Sequence, residues 1–168
     1  MAADRARHLA IAMKTVIRRT TLIVRDIEKS ARWYEHVLGL TRWYDSPYTL
    51  SGIGLAAGKK GDKTHLIIFK CEDPSIGMIG LLQWIDPPLP APREIPTSIT
   101  YGSPTFIAGC DDVDEAYRRA LELDTQVHAA PHIWSTTGAK GEKLTFKSIS
   151  IFDPDGYFYE LNQELSRE

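Results

Sequence analysis

Thr20-Thr21-Leu22-Ile23-Val24-Arg25-Asp26-Ile27-Glu28-Lys29-Ser30 and Thr105-Phe106-Ile107-Ala108-Gly109-Cys110-Asp111-Asp112-Val113-Asp114-Glu115 decide the fold, because they carry one pattern at two places half a chain apart. Each runs from a strand-like apolar stretch to an aspartate and then into a helical pattern. Asp26 and Asp112 suit the N-cap, where a carboxylate accepts the orphan N–H groups of a first helical turn. Ile27, Ala31, Tyr34 and Leu38 recur on one helical face with Val37 beside them. Val113, Ala116, Tyr117, Ala120 and Leu121 do the same in the second copy. Glu115, three residues after Asp112, completes a capping-box arrangement.

Strands are expected around these helices at Val16–Val24, Thr41–Asp45, Lys63–Cys71 and Met78–Ile85, then at Thr105–Cys110, Gln126–Ala129, Lys143–Phe152 and Tyr157–Gln163. Gly39 is placed to stop the first helix. Asp153-Pro154-Asp155-Gly156 has the residue preferences of a type I turn. Each half thus reads β-α-β-β-β. Two such units, each with an apolar sheet face to cover, give an α+β fold in which two curved mixed sheets form a cup with helices outside. The expected organisation is a tail or extension at 1–14, a module at 15–85, a proline-rich linker at 86–102 and a second module at 103–163. Pro87, Pro88, Pro90, Pro92 and Pro96 exclude a helix interior or a central strand from the linker.

The chain has 168 residues, 43% hydrophobic and 25% charged, with a net charge of −2. That composition suits a globular domain able to bury a core without staples. It shows no basic stripe for nucleic acid and no apolar run of about 20 residues to span a bilayer. Cys71 and Cys110 read as buried free thiols of a reducing cytoplasm. A cup points to a small-molecule ligand.

The first quoted stretch, continued by Trp33-Tyr34 and Val37-Leu38-Gly39-Leu40, resembles the opening of the glyoxalase/bleomycin-resistance/extradiol-dioxygenase group, the vicinal oxygen chelate superfamily. Phe152-Asp153-Pro154-Asp155-Gly156-Tyr157-Phe158-Tyr159-Glu160-Leu161 resembles its ending. The resemblance implies paired βαβββ modules, a homodimer and a site inside the cup. It also implies divalent-metal ligands on the first and last strands of each module. Carried over, those positions are Arg19, Gly80 (Leu82 if the register slips), Thr105 and Glu160. Only Glu160 is a usual ligand type, so no cofactor is expected; a divalent metal would need a non-standard ligand set including Glu160.

The resemblance therefore implies a glyoxalase-like protein that binds a small organic substrate, and isomerises or cleaves it if catalytic. Glu160 is the candidate general base and Arg19 the candidate oxyanion partner, with the Arg19 guanidinium standing where a metal would sit and pairing with Glu160 or a substrate anion. Thr105, His65, Gln83, His132 and Trp134 are candidate substrate contacts. His128, His132 and Trp134 are read in a loop over the cup mouth, and Gly52-Ile53-Gly54 with Gly58, Lys59, Lys60 and Gly61, within the loop Pro47–Asp62, as a mobile flap. Two alternatives stand beside this reading. One is a non-catalytic binder of the bleomycin-resistance type; the other is a metal-dependent lyase or dioxygenase using His65 or His132.

Overall fold

The computed structural model describes residues 15–73 and 77–168; the expected extension 1–14, with His8, lies outside them. The first module consists of β1 (Arg19–Ile23), α1 (Ile27–His36), β2 (Thr41–Thr49), β3 (Lys63–Lys70) and β4 (Met78–Asp86). The second consists of β5 (Thr105–Gly109), α2 (Val113–Glu122), β6 (Gln126–Thr137), β7 (Lys143–Phe152) and β8 (Phe158–Arg167). The sheets have the matching orders β1-β4-β3-β2 and β5-β8-β7-β6. In each, the first strand runs parallel to the last and the other pairs are antiparallel. They are open, four-stranded mixed sheets, so the α+β pair of βαβββ modules is present.

Both helices start as the repeat dictates. Asp26 accepts a hydrogen bond from Lys29 N, and Asp112 accepts one from Glu115 N. Beyond α1, Gly39 adopts φ +66°; beyond α2, Asp124 takes the left-handed backbone at φ 50°. A second repeated device was not anticipated. Gln83 Oε1 accepts from Ile27 N (3.0 Å), and Gln163 Oε1 accepts from Val113 N (3.3 Å). Each glutamine, near the end of its module's last strand or past its midpoint, satisfies an N–H at the start of its helix.

One core joins the modules. Ile27, Ala31, Trp33 and Tyr34 of α1 pack with Ile67, Phe69 and Leu81 of their own sheet and with Ile149, Ile151, Tyr159 and Leu161 of the other. Tyr34 stacks on Phe69 at 5.8 Å and meets Tyr159 edge-on at 5.8 Å. Its hydroxyl donates to Asp153 Oδ2 (2.7 Å) and lies 3.0 Å from the Tyr159 hydroxyl. Burial pushes the Asp153 carboxyl up to about 6, opposed by hydrogen bonds from Tyr157 N–H and Tyr34. At the seam, Asp155 Oδ1 accepts from Arg25 N and Arg25 Nε, and Oδ2 from the Ser30 hydroxyl. The Tyr157 hydroxyl brackets the outer edge of β1, accepting from Ile23 N and donating to Ile23 O. The Asp153–Gly156 turn is therefore both a hairpin connection and the clasp between modules.

Three sequence expectations need correction. β6 runs through Thr137, so His128, His132 and Trp134 stand on a strand and not in a covering loop. Pro131 falls where the β6–β7 register shifts between Ala129 and His132, a place where a missing N–H costs the ladder nothing. β2 runs through Pro47 to Thr49, because it is the outer strand of its sheet. Cys71 and Cys110 are free thiols, but Cys71 is exposed and Cys110 half-buried.

Candidate functional site

Strand alternation and register assign every side chain a sheet face. In the second sheet, Phe106, Ala108, Tyr159, Leu161, Ile149 and Ile151 face the helices and the core. The opposite, open face carries Thr105, Ile107 and Gly109, paired with Phe158, Glu160 and Asn162. It continues through Phe152, Ser150 and Ser148 of β7. The two register shifts in β6 then bring Ala129, His132 and Trp134 onto this same face. Without those shifts, residues 129 and 132 would fall on opposite faces, as period-two alternation requires.

A hydrogen-bonded chain crosses that face. Trp134 Nε1 donates to Ser148 Oγ (2.7 Å), Ser148 Oγ donates to Asn162 Oδ1, and Asn162 Nδ2 donates to Glu160 Oε1 (2.9 Å). Three residues, one from each of three strands, thus fix one carboxylate, leaving its other oxygen free of any hydrogen bond among the described residues. Ser148 is fully buried and Glu160 half-buried. Glu160 and Trp134 were expected at the site. Ser148 and Asn162 complete the chain; their signal was alternation with Ile149 and with Glu160, respectively. Thr105 stands exposed at the start of β5, next to Phe158 in register. His132 Nδ1 lies 2.9 Å from the Ala130 carbonyl.

The first sheet contributes differently. Arg19, Thr21 and Ile23 occupy its open face with Gly80, Leu82 and Trp84. Gly80 pairs with Thr21 as Glu160 pairs with Ile107, so Gly80 and Glu160 are equivalent positions of the repeat and the register has not slipped. The Arg19 side chain lies across Gly80. A Cβ built there would sit 3.1 Å from Arg19 Cδ, 3.4 Å from Arg19 Nε and 3.0 Å from Thr21 Oγ1. Where one module presents a carboxylate, the other presents a guanidinium arm over a bare backbone. Among the described residues Arg19 has no hydrogen-bond or ion-pair partner, and no pair within 4.0 Å joins it to Glu160. The expected Arg19–Glu160 pair is not formed; Asn162 holds Glu160 instead. Arg19, Ile107 and Asn162 border an open groove of about 1060 Å³ between the edge strands β1 and β5, whose walls also take in helix-side residues such as Leu38, Phe106, Tyr159 and Leu161; Glu160 is not among its lining residues.

Two expected contacts face the other way. His65 shares the helix-bearing face with Ile67 and Phe69, and its Nε2 lies 2.6 Å from Asp45 Oδ1. Asp45 is also bound by Arg42 at 2.6 Å, and these partners, Arg42 first, hold its carboxyl below the usual range. Gln83 is committed to the start of α1, with its Nε2 donating to Arg25 O (2.8 Å). Neither can meet a ligand on the open face. The loop between β2 and β3 folds over that face, with Leu50 and Ala57 packed on Leu66, Leu82 and Trp84.

The four positions at which the resemblance implies metal ligands hold a guanidinium, a glycine, a hydroxyl and one carboxylate. Arg19 brings a permanent positive charge over Gly80, and among the described residues no cluster of three His, Cys, Asp or Glu could hold an ion. This set does not fit a divalent metal.

The sequence profile of the Glyoxalase/Bleomycin resistance protein/Dioxygenase superfamily matches residues 16–161. No curated protein matches the chain in sequence. Among solved structures, a glyoxalase family protein from Bacillus cereus is similar, with a TM-score of 0.74 at 16% identity over 94% of this chain and 99% of that one. The trypanothione-dependent glyoxalase I of Leishmania major gives 0.57 at 17% identity, over 89% and 87%. TnmS3, an antibiotic binding protein from a Streptomyces species, gives 0.53 at 21% identity, over 92% and 98%. These likenesses are in fold. With the family profile spanning nearly all of both modules, they place the chain in the glyoxalase/bleomycin resistance/dioxygenase superfamily, to which it belongs.

Proposed function

We propose that the chain binds a small organic anion on the open sheet face and removes a proton next to a carbonyl, with Glu160 as general base and Arg19 as partner of the oxyanion. The observation that carries this reading is the held carboxylate: on the open sheet face Asn162 fixes one oxygen of Glu160, and at the equivalent position of the other module the Arg19 guanidinium, without a partner among the described residues, lies over Gly80. A free cation attracts a carboxylate or enolate oxygen. A carboxylate with one oxygen fixed and the other open is oriented to accept a proton. No step passes through a metal. The proton leaves carbon for the free oxygen of Glu160, and the electron pair of the broken C–H bond moves onto the carbonyl oxygen, toward Arg19. Substitution of Glu160 by glutamine separates this reading from sequestration, since a pure binder has no chemical step to lose.

A homodimer is part of the proposal. The open faces leave Tyr44, Tyr48 and Ile107 at 37%, 46% and 63% exposure, apolar surface that a second copy would cover. Sedimentation equilibrium should return twice the 18.9 kDa of one chain; a single-chain mass at micromolar concentration removes the dimer.

A further inference from the structure

The repeat is broken at one end of the gap between its edge strands β1 and β5. Val24 N donates to Leu82 O, and Cys110 N donates to Asn162 O. In each parallel ladder the preceding residue, Ile23 or Gly109, therefore turns its own N–H and C=O outward, away from the neighbouring strand. Ile23 pairs with Leu82 as Gly109 pairs with Asn162, so the two are equivalent positions of the repeat. At Ile23 one phenol satisfies both outward groups: the Tyr157 hydroxyl accepts from Ile23 N (3.2 Å) and donates to Ile23 O (3.1 Å). The counterpart of Tyr157 is Gly77, because each stands one residue before the last strand, where Met78 pairs with Arg19 and Phe158 with Thr105. Glycine has no side chain to reach across the gap. The N–H and C=O of Gly109 are thus without a hydrogen-bond partner among the described residues.

We propose that a small neutral phenol binds between Gly77 and Gly109, its hydroxyl bracketing Gly109 as that of Tyr157 brackets Ile23. Both glycines line the groove between β1 and β5. There is room beside each: among the described residues, a Cβ at Gly109 would meet nothing within 4 Å, and one at Gly77 would meet only Cys71 Cβ, at 3.9 Å. Leu38, Leu40, Ile79 and Phe106 give the same groove apolar walls, against which a ring loses its contact with water. The backbone pair sets the polar chemistry. One donor and one acceptor side by side need a ligand atom that accepts and donates at once. A hydroxyl does both, whereas a phenolate, a carboxylate, an ether or a ketone only accepts. Glu160 does not line this groove, and the site does not rest on the proton transfer proposed for the open face.

Equilibrium dialysis of the full chain against para-ethylphenol, and against its methyl ether para-ethylanisole, tests the site at neutral pH. Saturable binding of the phenol is expected. The ether cannot donate to Gly109 O and should bind at least about fivefold more weakly, the ratio expected for one lost hydrogen bond. Gly109→Pro removes an outward N–H that takes no part in the ladder, and should weaken the phenol by about five- to tenfold. Cys71 is exposed, and its Sγ donates to Gly77 O (3.0 Å). Cys71→Trp puts a ring into the space beside Gly77 and should weaken the phenol by at least about tenfold. Glu160→Gln should leave phenol binding unchanged, so this site and the proton-transfer reading stand or fall separately. No saturable binding of the phenol, equal affinity for phenol and ether, or undiminished binding in Gly109→Pro or Cys71→Trp would each overturn it.

Discussion

Glu160→Gln is expected to slow proton exchange at the carbon next to the carbonyl of small 2-oxo acids by about 10²–10⁴-fold, the usual contribution of a positioned general base. The assay is deuterium incorporation followed by NMR, so it needs no knowledge of the final product. Glutamine keeps the shape of glutamate and an oxygen for Asn162 Nδ2, so the chain from Trp134 through Ser148 and Asn162 survives. Ligand affinity should therefore hold within about threefold, because only proton acceptance is removed. If the wild type binds such acids and exchanges no proton above the buffer rate, the protein sequesters its ligand and Glu160 has no catalytic part.

The largest structural loss is expected from Asp155→Ala. Asp155 is 5% exposed in its side chain, and it satisfies Arg25 N, Arg25 Nε and the fully buried Ser30 hydroxyl across the module seam. Alanine leaves these donors without their acceptor. Ser30 cannot reach water, whereas Arg25, at 38% exposure, can re-solvate, so the loss falls below that of a fully buried pair. A destabilisation of about 2–4 kcal/mol follows, read by urea unfolding as a lower midpoint with unchanged slope. Asp155→Asn retains an acceptor and should lose about half as much. A change under about 0.5 kcal/mol in Asp155→Ala, the range of ordinary surface substitutions, would mean that the seam does not depend on this clasp.

The doubled strand–aspartate–helix pattern made the architecture legible, because capping and helical periodicity are local and both copies obey them. The Asp153–Gly156 turn was legible for the same reason, with Gly156 N donating to Asp153 O as its type requires. Its role as a clasp was not, since Ser30 and Arg25 lie more than a hundred residues away in sequence. Facing was the harder problem. β3 and β4 are buried on both sides, so Leu66-Ile67-Ile68-Phe69 and Leu81-Leu82 form continuous apolar runs without alternation. That is why His65 and Gln83 were assigned to the wrong face. β8 alternates clearly, which puts Glu160 and Asn162 on one face, where the structure joins them by a hydrogen bond. Trp134 reached the site for a reason the sequence hid: β6, expected to stop at Ala129, continues through Pro131 to Thr137. The repeated glutamines Gln83 and Gln163 were not anticipated, because the N–H groups they bind, at Ile27 and Val113, lie 50 residues or more away in sequence.

The central proposal is that an arginine lying over glycine in one module and a single held carboxylate in the other stand where the resemblance implies metal ligands, and that no metal binds there. Metal content decides it. The purified chain, equilibrated with Zn²⁺, Ni²⁺ and Mn²⁺ in turn and passed through a desalting column, should retain far less than one equivalent of each by inductively coupled plasma mass spectrometry. One tightly held divalent ion per chain, lost on Glu160→Gln, would contradict the account and place Glu160 in a metal centre.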